Sequence, residues 1–216
     1  MGQVESVPLK LGSVPVQNLA MVSVPLDSLQ PFIGQPLDGI LGHGFFSQFV
    51  VEFDYAAQRV RLFAPETYVA PPKAVLIPIT FRGRSPLVEI PLEGAMGESV
   101  KTYVEVDTGS FESLGLKGAF LDEHRLVPAN APKRPLFGLA IGGETTGYRT
   151  RLAAATLGPF QLSRPVTSAT TSGDGGGADV AGILGGEALN RFKVIVDYSR
   201  KQLLLILNRE LSRPSE

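Results

Sequence analysis

The chain has 216 residues and a formal net charge of -1, and it is 44% hydrophobic and only 19% charged. This balance excludes a disordered chain. It also argues against a protein that binds nucleic acid or an anionic membrane, because such proteins present a basic face. The absence of Cys excludes disulfide scaffolds, thiolate zinc sites and cysteine nucleophiles. The 24 Gly and 17 Pro residues suit many short strands joined by tight turns.

The first 64 residues predict two strands, a short helix and a hairpin, in that order. One strand ends in the Leu11-Gly12 turn, and a second covers Val14–Val24. After a polar loop, Gly39-Ile-Leu-Gly42 opens a short helix around His43–Phe49. A strand, a turn and a strand then fill Val50–Phe63. The Pro-rich residues 65–73 are predicted to form a linker.

Residues 74–208 predict a longer version of the same unit, followed by a tail over residues 209–216. Strands are predicted over Val75–Phe81, Leu87–Leu92 and Ser99–Val106, and the last runs straight into Asp107-Thr-Gly-Ser110. The second half predicts strands over Phe160–Thr167 and Lys193–Leu207, with a Gly-rich loop and a short helix between them.

The two units repeat each other in sequence. Residues 39–55 read GILGHGFFSQFVVEFDY and residues 182–198 read GILGGEALNRFKVIVDY, at a constant offset of 143 (Gly39 to Gly182). Further upstream, Leu11-Gly12 matches Leu157-Gly158 at an offset of 146. Identity at glycines, at an Asp-Tyr turn and at alternating apolar positions indicates two copies of one β-rich unit. The first copy lacks the front half, which in the second copy carries Asp107.

Asp107 is the candidate catalytic residue. It lies at the end of a predicted strand, in a Thr-Gly turn that suits a positioned general base. Gly109 allows a substrate backbone to come close. Asp54 and Asp197 recur at the same turn of both copies, which favours a structural role, and Asp38 is interpreted as a loop residue because the second copy has Ala181 there.

The motifs together resemble those of the retropepsin-like aspartic proteases of the pepsin superfamily. Asp107-Thr-Gly-Ser110 is similar to the active-site loop of that family, and Gly182-Ile-Leu-Gly185 to the second half of its signature, with Ile183, Leu184 and Gly185 as structural positions. Ile141-Gly142-Gly143-Glu-Thr-Thr-Gly147-Tyr148 resembles the flap hairpin. The order and spacing are similar to those of the bacterial two-lobed type. The resemblance implies an all-β fold of acid-protease β-barrel lobes with a few short helices.

The resemblance also implies a function, aspartic-type hydrolysis of peptide bonds in a polypeptide substrate. Asp107 and a second Asp would activate a water while sharing one proton, with no metal or cofactor. Thr108 would brace the loop against its partner lobe, and Ser110 would hydrogen-bond the pair of aspartates. Gly109, Gly142 and Gly143 would bind the substrate backbone by strand addition.

Three explanations for the single Asp-Thr-Gly are open. A second Asp-Thr/Ser-Gly, encoded roughly 35–60 residues upstream of Met1 if the first lobe matches the second, would complete the pair. A homodimer would pair Asp107 with its symmetry mate. Alternatively, the chain is an inactive peptide-binding or assembly module.

Other chemistries have little support in the sequence. The two histidines lie in unrelated parts of the pattern, so a zinc site is not expected. No Gly-x-Ser-x-Gly occurs, and the Gly-rich residues 172–179 lack the Gly-Lys-Ser/Thr ending of a phosphate loop. The sequence contains no signal-peptide pattern, while the family resemblance favours an extracytoplasmic location.

Overall fold

β-Strands are the main secondary structure of the chain, and its described helices are short, which confirms the predicted all-β class. The computed structural model describes residues 2–23, 26–27, 30–140, 143–172 and 180–208. Ile141, Gly142, residues 173–179 of the Gly-rich loop and the tail 209–216 lie outside these ranges. Within them there are 17 strands and four short helices. The strands are β1 (Gly2–Leu11), β2 (Val14–Ser23), β3 (Val50–Asp54), β4 (Arg59–Phe63), β5 (Val75–Pro78), β6 (Thr80–Arg82), β7 (Ser85–Glu93), β8 (Ser99–Asp107), β9 (Leu114–Lys117), β10 (Arg134–Ala140), β11 (Gly143–Arg151), β12 (Ala154–Leu157), β13 (Phe160–Ser163), β14 (Val166–Ser172), β15 (Gly182–Gly185), β16 (Phe192–Asp197) and β17 (Gln202–Leu207); the helices are α1 (Gln30–Ile33), α2 (His43–Phe46), α3 (Gly118–Glu123) and α4 (Gly186–Leu189).

The described strands form three sheets. The β1–β2 hairpin stands alone, and a ten-stranded large sheet runs β10-β11-β14-β9-β15-β8-β7-β12-β13, with β6 paired to β7. A five-stranded sheet, β4-β3-β16-β17-β5, joins the hairpins that end the two copies. Among the described residues the path of the large sheet is open, because its end strands β10 and β13 each pair with one neighbour only. The barrel-like lobe expected from the resemblance is therefore not a closed ring of strands.

The largest core lies on the large sheet, where the alternation of side chains along a strand buries one face. Val88, Ile90, Val104 and Leu184 are fully buried there. A smaller core forms where the β1–β2 hairpin packs on α2, around Val16, Leu19, Phe45 and Val51. Neither the hairpin nor α2 could bury its apolar face alone, so each depends on the other.

The turns of the five-stranded sheet match the Asp-Tyr pattern of the sequence. Asp54 accepts a hydrogen bond from the Ala57 amide at 3.1 Å, and Asp197 accepts one from the Arg200 amide at 3.1 Å. Lys193 Nζ lies 2.7 Å from Asp54 Oδ2, so an ion pair joins β16 to β3. These contacts agree with structural roles for both aspartates.

Three predicted elements differ in the structure. Val75–Phe81 divides into β5, in the five-stranded sheet, and β6, in the large sheet, with the buried Ile79 at the crossing. Phe160–Thr167 divides at Arg164, whose φ of 48° ends the strand. Gly182–Gly185, predicted to open a helix, is itself strand β15, and the helix begins one residue later. No helix among the described residues is long and apolar enough to cross a membrane.

Candidate active site

Asp107 is the last residue of β8, where the strand turns into the loop 107–113, called the Asp107 loop below. The Gly109 amide donates a hydrogen bond to Asp107 Oδ1 at 2.8 Å, and the Ser110 amide donates one to the Asp107 carbonyl oxygen at 3.3 Å. The Asp107 side chain is half-buried. One carboxylate oxygen is thereby oriented by the turn, on a side chain that remains open to solvent, as a group that activates water requires.

The Asp107 loop lies across Gly185, the last residue of the neighbouring strand β15, and Gly186, the first residue of α4. Strand β15 runs parallel to β8, with Gly185 beside Asp107. The Gly186 amide donates to the Ser110 carbonyl oxygen at 2.7 Å, and the Gly185 amide donates to that of Ser113 at 3.2 Å. A Cβ on Gly185 would lie 2.9 Å from Ser110 Oγ and still closer to the Glu112 carbonyl oxygen. Glycine is required there because the loop occupies the space of a side chain.

The matching segment of the first copy, Gly39–Gly42, has no loop across it among the described residues. It forms no strand, and a Cβ added at Gly39 or Gly42 would meet no described atom within 4 Å. Ile40 and Leu41 are 55% and 37% exposed, whereas Leu184, the counterpart of Leu41, is fully buried. Gly39-Ile-Leu-Gly42 therefore has the sequence of the β15 segment without the neighbours that bury it.

Comparisons with known proteins find similarity among solved structures. No family model and no curated protein matches the chain. Among solved structures, the chain is similar to a retropepsin-like aspartic protease from Rickettsia conorii, with a TM-score of 0.42 and 19% sequence identity over 64% of this chain and 100% of that chain. A likeness of this degree gives no information on the role of Asp107, which must be inferred from the contacts of Asp107 itself.

Thr108 and Ser110 follow the catalytic candidate in the Asp107 loop. Thr108 is half-buried, and its carbonyl oxygen lies 3.7 Å from the position that a Cβ on Gly186 would take. Ser110 Oγ accepts a hydrogen bond from the Glu112 amide at 3.3 Å. This bond holds the Ser110 side chain within the loop. The predicted roles of Thr108 towards a partner lobe and of Ser110 towards a second aspartate remain predictions.

The predicted flap is the β10–β11 hairpin at one end of the large sheet. Ala140 pairs with Gly143, one of the two predicted glycines, and Gly143 has a φ of +119° that disfavours other residues. Gly142 lies outside the described residues. Phe137 on β10 is 79% exposed. The hairpin geometry fits a flap, and contact with a substrate remains a prediction.

Two acidic residues near Asp107 were missed by the sequence analysis. Glu105 lies two residues before Asp107 on β8, so both side chains project from one face of the strand. Burial raises the pKa of Glu105 and the charge of Asp107 raises it further, while a hydrogen bond with Ser85 lowers it. Period-two alternation along β8 could have placed Glu105 beside Asp107. The second acidic residue, Glu112, follows within the Asp107 loop.

Tyr198 brings the first copy close to these carboxylates. Burial raises the pKa of its phenol, and the charges of Glu105 and Asp107 raise it further. Its ring centroid lies 5.5 Å from that of His43, the residue directly after Gly42. Helix α2 and the Asp107 strand therefore share Tyr198 as a neighbour.

Proposed function

We propose that this chain is an aspartic-type endopeptidase unit in which Asp107 supplies one carboxyl group of a catalytic pair. The observation that supports this most directly is the Asp107 loop, which is held across Gly185 and Gly186 with one Asp107 oxygen bound by the Gly109 amide. Two carboxyl groups at close range cannot both ionise, so they share a proton. The ionised one takes a proton from water while the protonated one polarises the substrate carbonyl.

The second carboxyl group belongs to another Asp-Thr/Ser-Gly loop, and this loop lies across the Gly39–Gly42 segment. Two observations support this placement: both glycines face open space among the described residues, and Ile40 is 55% exposed where strand neighbours would cover it. The loop comes either from a segment outside this sequence or from another chain. His43, next to this segment, touches Tyr198, and the charge of Asp107 raises the pKa of Tyr198.

The substrate is an extended polypeptide that lies between the Asp107 loop and the β10–β11 hairpin. Gly109 and Gly143 present backbone to it, in the manner of strand addition. Thr108 braces the loop against the second one, and Ser110 stabilises the carboxyl pair. None of these steps calls for a metal or a cofactor.

Two other arrangements are distinguishable by experiment. In a homodimer, Asp107 would face the Asp107 of a second copy. An excess of an inactive variant would then lower cleavage by the wild-type protein, because mixed dimers would form. In a non-catalytic peptide-binding module, the open Gly39–Gly42 segment would stay without an acidic partner. Exposure of Ile40 and Leu41 in the purified protein would favour the peptide-binding module over the peptidase.

The deciding experiment compares Asp107→Asn with a matched control, Asp38→Asn. Asparagine keeps the acceptor for the Gly109 amide but cannot ionise. Asp38 is an exposed loop aspartate of the first copy. We expect cleavage of an unfolded polypeptide to be lost in Asp107→Asn and retained in Asp38→Asn. Equal cleavage by both variants would refute the role of Asp107. Peptide binding without cleavage, in a wild-type preparation that contains the second Asp-Thr/Ser-Gly loop, would favour the non-catalytic module.

A further inference from the structure

Three neighbouring strands of the large sheet line up a row of positions beside the Asp107 loop. Arg149 on β11 pairs with Ser168 on β14, and Ser168 pairs with Gly115 on β9. Directly paired residues project to the same face of a sheet. Ser168 is buried and Arg149 is exposed, so the row runs from the interior towards solvent.

The carboxyl group of Glu112 completes this row. It occupies the space that a side chain on Gly115 would take, and it hydrogen-bonds Ser168. Burial raises the pKa of Glu112, whereas the bond with Ser168 and the charge of Arg149 act in the opposite direction. An acid thus lies over β9, bonded to β14 and attracted by a cation on β11.

The backbone of Glu112 is also fixed. Its amide donates to Ser110 Oγ at 3.3 Å, and its carbonyl oxygen accepts from the Glu187 amide at 3.1 Å. Ser110 is in turn bonded through its amide to the carbonyl oxygen of Asp107. A displacement of the Glu112 side chain would therefore be transmitted to the turn that orients Asp107.

We propose that Glu112 is a positioning residue that couples the Asp107 loop to the β10–β11 hairpin through Ser168 and Arg149. The effect of this coupling on catalysis rests on the proposed function. Mechanically, it links the turn that carries the catalytic candidate to β11, the second strand of the predicted flap hairpin.

The test compares Glu112→Gln and Arg149→Met, singly and together, by hydrogen exchange of the intact chain. Glutamine keeps the size of the side chain and its bond to Ser168 but removes the charge, and Arg149 is exposed, so both variants should fold. We expect each single variant to speed exchange about tenfold at both the Asp107 loop and β11, and the double variant to add little, as coupled residues do. Glu144 is an exposed acid on β11, the strand of Arg149, and Glu144→Gln should leave hydrogen exchange in the Asp107 loop unchanged.

The proposal is overturned if Glu112→Gln affects residues 107–115 alone, or if the two substitutions act additively. Because exchange needs no cleavage, this result is independent of the proposed function. In a cleavage assay of an active preparation, Glu112→Gln should lower kcat about tenfold with little change in KM, because the lost alignment acts in the transition state. A change in KM alone would contradict the positioning role.

Discussion

Replacing Gly185 with Ala tests whether the Asp107 loop occupies the space above β15. The new Cβ would lie 2.9 Å from Ser110 Oγ and 3.1 Å from the Glu112 carbonyl carbon. Carbon atoms in contact are normally about 3.5–4.0 Å apart, so the loop backbone must move by at least roughly 0.4–0.9 Å. The Glu112 carbonyl oxygen, which lies closest to the new Cβ, must move further. Overpacking of this kind costs about 1–3 kcal/mol. Gly185 has φ -102°, which Ala adopts freely, so steric crowding alone acts.

Gly42→Ala is the matched control in the first copy. Gly42 has φ -110°, and a Cβ there would meet no described atom within 4 Å. Ala at such a site stabilises by about 0.4–1 kcal/mol, because it restricts the unfolded chain. Urea unfolding of the two variants should therefore differ by about 1.5–4 kcal/mol. Equal stabilities would refute the assignment of the loop to the space above Gly185, whereas a marked loss in Gly42→Ala would mean that a second loop already covers the first copy.

Three further substitutions test other parts of the structure. Leu184→Ala should cost about 2–5 kcal/mol in urea unfolding, because its side chain is fully buried, while Leu41→Ala at the matching position should change stability by less than about 0.5 kcal/mol; similar losses would contradict the exposure of the first copy. Burial opposes ionisation of Asp197, but hydrogen bonds from its turn, including one from Arg200, outweigh burial and lower its pKa below 3.8. The contribution of Asp197 to the stability of the fold is therefore full above that pH, and it is lost as pH falls through the folded-state pKa. Asp197→Asn should cost about 1.5–3 kcal/mol at pH 7 and flatten the acid unfolding curve, and an unchanged acid slope would count against the lowered pKa. Burial raises the pKa of Glu105 above 4.5, so stability should decline as pH rises through the folded-state value, and Glu105→Gln should remove that decline in urea midpoints measured from pH 4 to 8.

Features set by local sequence were predictable. The Leu11-Gly12 and Leu157-Gly158 turns follow from glycine, since Gly12 and Gly158 adopt φ of 61° and 57°. Strand β8 alternates along its length, and its predicted end at Val106 is one residue short of the observed end at Asp107. Helices α2 and α4 begin directly after the expected glycines, whereas α1 and α3 were not predicted. In each case the determining interactions lie within a few residues of one another.

Features set by distant neighbours were not predictable. The sequence treats Val75–Phe81 as one strand, but Pro78 ends its pairing with β17, and the following residues join another sheet. The two Gly-Ile-Leu-Gly segments are identical in sequence, yet only Gly182–Gly185 forms a strand, because only it has β8 and β9 on either side.

The sequence by itself determined the β-rich class, the position of Asp107 in a turn and the duplication of Gly-Ile-Leu-Gly. Only the tertiary structure decided which copy of that segment is covered, and it also placed the Glu112 carboxyl group over Gly115, where it bonds Ser168 and is attracted by the charge of Arg149. The physical reason is that a strand satisfies its backbone groups through partners far away in the chain. Covering a glycine likewise depends on which loop crosses it. The same four residues are thus a buried strand at Gly182–Gly185 and an exposed segment at Gly39–Gly42.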